Sequence, residues 1–142
     1  MTVKHILDQK GRDVVTVSPT MGTADAVRFL AENKIGAVVV TSDDGKVAGI
    51  LSERDIVRAM AAKGADALSA PISDIMTSKV TTCGEGHSVN QVMELMTNGR
   101  FRHLPVVTDG KLAGLISIGD VVRRRIEDVE REAEEIKAYI AS

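Results

Sequence analysis

The chain contains itself twice, and this repetition constrains its fold more than any other property. Ala26 to Val40 (AVRFLAENKIGAVVV) lies over Val92 to Val106 (VMELMTNGRFRHLPV) at a constant offset of 66. One extra residue in the first copy changes the offset to 65 after Asp44. Gly45 to Ser52 (GKVAGILS) then overlays Gly110 to Ser117 (GKLAGLIS), and Asp55-Ile56-Val57-Arg58 overlays Asp120-Val121-Val122-Arg123. Upstream of each copy, Val3, Ile6 and Leu7 share the spacing of Ile72, Ile75 and Met76. Two copies of about 60 residues with one apolar pattern imply one supersecondary unit, made twice, that buries its open face against a neighbour.

Each copy has the same order of elements. A helix begins near Thr23 or Ser88, with Ala26, Val27 and Leu30, or Val92, Met93 and Met96, on one helical face. The β-branched runs 37–41 and 104–108 follow as strands and end in the turn signals Asp43-Asp44-Gly45 and Asp109-Gly110. Val47 to Leu51 and Leu112 to Ile116 return as second strands, so each turn closes a hairpin. A second helix opens at Ser52 or Ser117 as N-cap. The expected architecture is α/β (α+β): two β-α-β-β-α repeats packed about a pseudo-twofold axis, with a ligand cleft between them and a C-terminal helix beyond. In linear terms the first repeat with its linker occupies 1–70, the second 71–125 and the helix 126–142.

Composition narrows the function classes. There is no Trp, one Tyr (Tyr139) and only two Phe (Phe29, Phe101), so an aromatic surface for stacking single-stranded nucleic acid is not expected. Eighteen basic against 20 acidic residues, a net charge of -2, provide no overall field for DNA or an acidic membrane. The single cysteine, Cys83, excludes an intrachain disulfide, a multi-cysteine zinc site and a CxxC redox pair, and it reads as a small half-buried residue. The N-terminus has charges every few residues and no apolar run, so a cytoplasmic protein without a membrane segment is expected.

The element repeated most closely also carries the most chemistry. Ser52 and Ser117 stand where a strand becomes a helix, where free amides and a hydroxyl can seat an anion. Asp55 and Asp120 lie one helical turn on, placed to accept from the vicinal hydroxyls of a ribose. Arg54 and Arg102 can engage phosphate through their guanidinium groups, and His103 can add a hydrogen bond. The plainer reading of each Ser-x-x-Asp is an N-capping arrangement. No metal site is expected, because His5, His87 and His103 have no ligand spacing. No nucleophile-base pair, Walker loop or GxGxxG is present, so catalysis has no positive case.

Gly49-Ile50-Leu51-Ser52-Glu53-Arg54-Asp55 and Gly114-Leu115-Ile116-Ser117-Ile118-Gly119-Asp120 close the two repeats. Together with Arg102-His103-Leu104-Pro105-Val106-Val107 and with Asp74-Ile75-Met76-Thr77 opening the second repeat, they resemble a tandem of cystathionine-β-synthase (CBS) domains, a Bateman module, over essentially residues 1–125. The resemblance implies that the Asp binds ribose and that the entering strands flank adenine, which brings Thr16, Ser18 and Thr82 into the site. It also implies a regulatory sensor, not an enzyme, with no required cofactor. Its ligand would be AMP, ADP, ATP, S-adenosylmethionine or NAD(H), and its modules would pair as homodimers, with an unidentified regulated protein as a further partner.

The copies differ in ways that predict unequal sites. Where the second has Arg102, His103 and Pro105, the first has Gly36, Ala37 and Val39; where the first has Arg54, the second has Gly119. Competing readings are a ligand-free structural or partner-binding scaffold, and nucleic-acid binding through Arg54, Arg58, Arg100 and Arg102. Beyond the repeats, Val122, Ile126, Val129, Ala133, Ile136 and Ile140 alternate gaps of four and three, the seam of helix-helix packing. That seam serves either a fold-back onto the chain's own domain or a dimer contact that deletion of residues 127–142 would weaken.

Overall fold

The computed structural model describes residues 1–142. Helix α1 (Val3–Lys10) precedes strand β1 (Thr16–Val17), helix α2 (Thr23–Asn33), strands β2 (Ala37–Thr41) and β3 (Val47–Ser52), and helix α3 (Glu53–Lys63). Two 3-10 segments, Gly64–Ser69 and Ile72–Asp74, lead to helix α4 (Val89–Gly99), strands β4 (His103–Thr108) and β5 (Lys111–Ser117), and helix α5 (Ile118–Ala141). The α/β expectation holds, and the β-α-β-β-α order read from the sequence is complete in the first repeat, while the second lacks a full entering strand.

The repeat extends to individual pairings. In the first copy β1 runs parallel to β2 with Val17 opposite Val40, and β2 runs antiparallel to β3. In the second copy the entering strand is reduced to one parallel bridge, Cys83 opposite Val106, which is the Val17–Val40 pair moved on by 66. Both hairpins turn through glycines at positive φ, Gly45 at 81° and Gly110 at 77°, a region closed to most side chains. The extra residue of the first copy lies near this turn, where the β2–β3 register shifts between Val40 and Thr41.

The cores also superpose. Ala26, Leu30, Val38, Val40, Leu51 and Ile56 form one cluster; Val92, Met96, Leu104, Val106, Ile116 and Val121, their repeat counterparts, form the other. Each cluster gains a third side of the sandwich from an upstream segment, and the source of that segment departs from the linear boundaries. The compact units are Val14–Thr81 with Asp109–Leu112, and Met1–Asp13 with Thr82–Thr108 and Ala113–Ser142. Thus Val3, Ile6 and Leu7 complete the core of the second repeat, while Ile72, Ile75 and Met76 complete that of the first. The division at residues 70 and 71 therefore describes the order of the repeats in sequence but not the grouping of their cores. Asp74-Ile75-Met76-Thr77, which opens the second repeat in sequence, packs with the core of the first.

Glycines at equivalent places show why. A Cβ built on Gly49 would lie 2.7 Å from the Thr77 carbonyl oxygen and 2.8 Å from Met76 Sδ. One built on Gly114 would lie 2.7 Å from Leu7 Cδ2. The upstream segment lies directly on the strand at this position, and any side chain there would have to push it away.

Three further features go beyond the sequence reading. The linker is ordered: Ala67 is buried, and the Thr23 amide and hydroxyl both donate to the Ala70 carbonyl, at 2.9 and 2.7 Å. No helix boundary falls at residue 126, because α5 is one continuous 24-residue helix. Nothing in Ile118–Ala141 breaks it after the first turn, and Arg124 reaches Asp128 at 3.4 Å along its surface. The segment Val3–Lys10, read only as an apolar echo, is a helix.

Candidate functional site

The two Ser-x-x-Asp elements are built alike. Ser52 caps α3: its Oγ accepts from the Asp55 amide at 3.3 Å, and the Asp55 carboxylate accepts from the Ser52 amide at 2.9 Å. Ser117 caps α5 in the same way, at 3.2 and 2.8 Å. The first helical amide of each also has a partner, Glu53 donating to the Gly36 carbonyl and Ile118 to that of Arg102. These are complete capping boxes. What each leaves open to an anion is the second amide, of Arg54 or Gly119, which has no acceptor in the structure. The seat is narrower than a whole free helix end.

Beyond this frame the seats diverge. In the first, Asp55 is 6% exposed, and its carboxylate also accepts from the Ser52 hydroxyl at 3.1 Å and the Thr77 hydroxyl at 3.0 Å. Gly36 lies just before β2 and Ala37 is buried at its start, while Arg54 is exposed on the first turn of α3. Thr16 and Ser18 are exposed, and the Ser18 hydroxyl pairs with Thr20 at 3.0 Å.

In the second, the carboxylate is ion-paired. Lys10, on α1, places Nζ 2.6 Å from Asp120 Oδ2 and 2.8 Å from the Leu115 carbonyl oxygen. Arg123 stands 3.7 Å from Oδ1. Burial pushes the Asp120 carboxyl up, but the Lys10 and Ser117 hydrogen bonds together outweigh it and hold the group below the usual carboxylate value. His103, half-buried at the start of β4, moves down from 6.5, first through burial and then through Lys10, against the pull of Asp120. Both effects favour its uncharged ring beside this seat. Arg102 is exposed beside it, Thr82 is exposed, and Pro105 is buried within β4.

Lys10 is the residue that sequence reasoning missed. It lies 110 positions from Asp120, at the end of the upstream helix α1, so no spacing joins them. Cys83 is buried, and burial pushes its thiol up to about 11. Iodoacetamide at pH 8 should therefore leave the native chain unmodified over a time that fully alkylates the urea-unfolded chain. Comparable native and unfolded rates would contradict this assignment. A separate cavity of about 290 Å³, lined by Met1, Ser88, Arg125, Asp128, Arg131 and Glu132 among others, contains none of the residues of the two seats. Its mixed charge suits no simple anion.

Comparison with known proteins places this geometry. The CBS domain model matches the chain twice, over residues 3–62 and 72–127. The chain belongs to the CBS-domain family. Both CBS matches begin at the upstream segment, Val3 or Ile72, and include the capped Asp. Among solved structures, the chain is similar to the CBS-domain containing protein ATU1752 from Agrobacterium tumefaciens, at 53% identity and a TM-score of 0.84, over 88% of this chain and 99% of that one. It is similar to the CBS domain pair of protein MJ0100, solved in complex with 5-methylthioadenosine and S-adenosyl-L-methionine (26% identity, TM-score 0.78, 90% of this chain and 98% of that one). It also resembles CBSX2, solved in complex with AMP (25% identity, TM-score 0.75, 89% and 96%). No helix is long and apolar enough to cross a membrane.

Proposed function

We propose that this CBS pair is a regulatory module that binds an adenosine-bearing ligand at its capped Ser-x-x-Asp seats, and that the seats are unequal. The observation that carries the reading is the duplicated frame: a helix N-terminus with one amide left open, and a carboxylate held one turn away. Phosphate and ribose are the groups that match these two functions. Two similar CBS pairs hold adenosine-bearing ligands, which supports adenosine as the shared chemistry. Inequality follows from Thr77 holding Asp55 and Lys10 holding Asp120. The cations gathered around the second seat favour the more anionic end of the candidate series there.

A ribose entering the second seat must displace Lys10. Lys10 is 40% exposed, and a pair of that kind is worth about 0–1 kcal/mol, so the competition lowers affinity by no more than about fivefold. Binding signals only if the ligand favours one arrangement of the chain over another.

Isothermal titration with adenosine, AMP, ADP, ATP, S-adenosylmethionine and NAD(H) tests the reading. At least one ligand should bind with two distinguishable affinities. Asp120→Asn and Asp55→Asn, which keep an acceptor for the cap, should each weaken one affinity tenfold or more. Lys10→Met should strengthen binding of uncharged adenosine. The opposing reading, a ligand-free scaffold, draws on the fact that both carboxylates already have partners. Silence from every ligand at millimolar concentration would establish the scaffold in place of the sensor.

A further inference from the structure

The second seat carries cations where the first carries hydroxyls. Lys10 Nζ stands 2.6 Å from one oxygen of Asp120 and Arg123 stands 3.7 Å from the other, so two cations surround a single carboxylate and leave one net positive charge. Lys10 is 40% exposed and Arg123 70%, and both ends are free to turn toward an incoming group. Arg102 belongs to the same helix end, its carbonyl accepting the Ile118 amide at 2.8 Å. In the first repeat the positions equivalent to Lys10 and Arg123 are Lys79 and Arg58, both exposed and neither paired with Asp55. There the upstream segment is bridged to Ile50 through Thr77, and the Thr77 hydroxyl meets the carboxylate. The upstream segment of the second repeat is the helix α1, which brings a lysine to the aspartate.

We propose, resting on the adenosine reading of the seats, that the second takes an adenosine whose ribose carries a phosphate on its 2′ or 3′ oxygen, while the first takes the unmodified sugar. A carboxylate suits a plain ribose because both vicinal hydroxyls can donate to it. The ammonium of Lys10 has three donors and no acceptor, so Lys10 and Asp120 side by side match a sugar with one hydroxyl left to donate and an anionic group beside it. The free hydroxyl donates to Asp120. The phosphate takes Lys10 and Arg123 in charge-assisted hydrogen bonds. Lys10 then turns from one anion to another and keeps its charge paired, whereas an unmodified ribose has to expel it. Dinucleotide-binding folds separate the two sugars by the same physics, with an acidic residue for the free 2′-hydroxyl and an arginine for the 2′-phosphate. Asp55, buried and met by the Ser52 and Thr77 hydroxyls without a cation, offers a ribose phosphate only repulsion.

The test is titration calorimetry of the full chain with AMP, ADP, adenosine 2′,5′-bisphosphate and adenosine 3′,5′-bisphosphate. At least one of the two ribose phosphates should bind about tenfold more tightly than AMP at one seat, and more tightly there than ADP, which carries its added phosphate at the 5′ end. Lys10→Met should abolish this preference and Lys10→Arg should retain most of it. Arg123→Gln, on the exposed surface of α5, should lose part of it. Equal gains from ADP and the bisphosphates, or a preference that survives Lys10→Met, would overturn the proposal and leave the adenosine reading intact. So would AMP bound at two affinities with no gain from either ribose phosphate. Failure of all four nucleotides to bind at millimolar concentration would overturn the adenosine reading and this proposal with it.

Discussion

Asp55→Ala is expected to destabilise the fold by about 2–4 kcal/mol, because three hydrogen bonds to one buried carboxylate are lost together. The Asp55 carboxylate, in a residue only 6% exposed, takes the Ser52 amide, the Ser52 hydroxyl and the Thr77 hydroxyl. In urea this is a midpoint lower by on the order of 1–2 M. Asp55→Asn keeps one oxygen for these donors and should recover part of the loss. Asp120→Ala removes the same capping bond, but its other partner is a lysine 40% exposed that water can solvate, so about 1 kcal/mol is expected. The difference between the two aspartates is the measurement that matters. Equal losses would mean that Thr77 contributes nothing beyond the cap.

Gly49→Ala should cost roughly 1–3 kcal/mol, the usual range for forcing extra volume into a packed site. The added methyl would meet a backbone oxygen, that of Thr77 at 2.7 Å. That carbonyl accepts from the Ile50 amide at 2.9 Å, and the Thr77 amide donates back to Ile50 at 2.9 Å. It cannot move without breaking a reciprocal bridge. Gly114→Ala meets only the end of the Leu7 side chain, which can change rotamer, and should cost less. Thermal unfolding of the two variants side by side checks the ordering. The reverse order would show that the Leu7 contact, and not the Thr77 bridge, is the rigid one.

These predictions sit at the same place in both repeats, and they depend on something a repeat alignment shows only indirectly. The copies align at offsets of 66 and 65, yet the upstream segments align at 69. That third register marks them as separate pieces. It does not say which core each one covers. The Ser-x-x-Asp pattern was legible both as a cap and as a ligand seat, because a side chain that accepts from a helix amide is also one that can accept from a hydroxyl. The structure shows the cap complete in both copies.

Periodicity, turn residues and the repeat determined the element order, the hairpins, both helix caps and the core positions, because each rests on contacts between residues near in sequence. Tertiary structure decided the rest: that Leu7 lies on Gly114 and Met76 on Gly49, that Thr77 holds Asp55, and that Lys10 neutralises Asp120. These contacts join residues separated by 22 to 110 positions. No local spacing encodes them, since they exist only once the chain has returned to close each core.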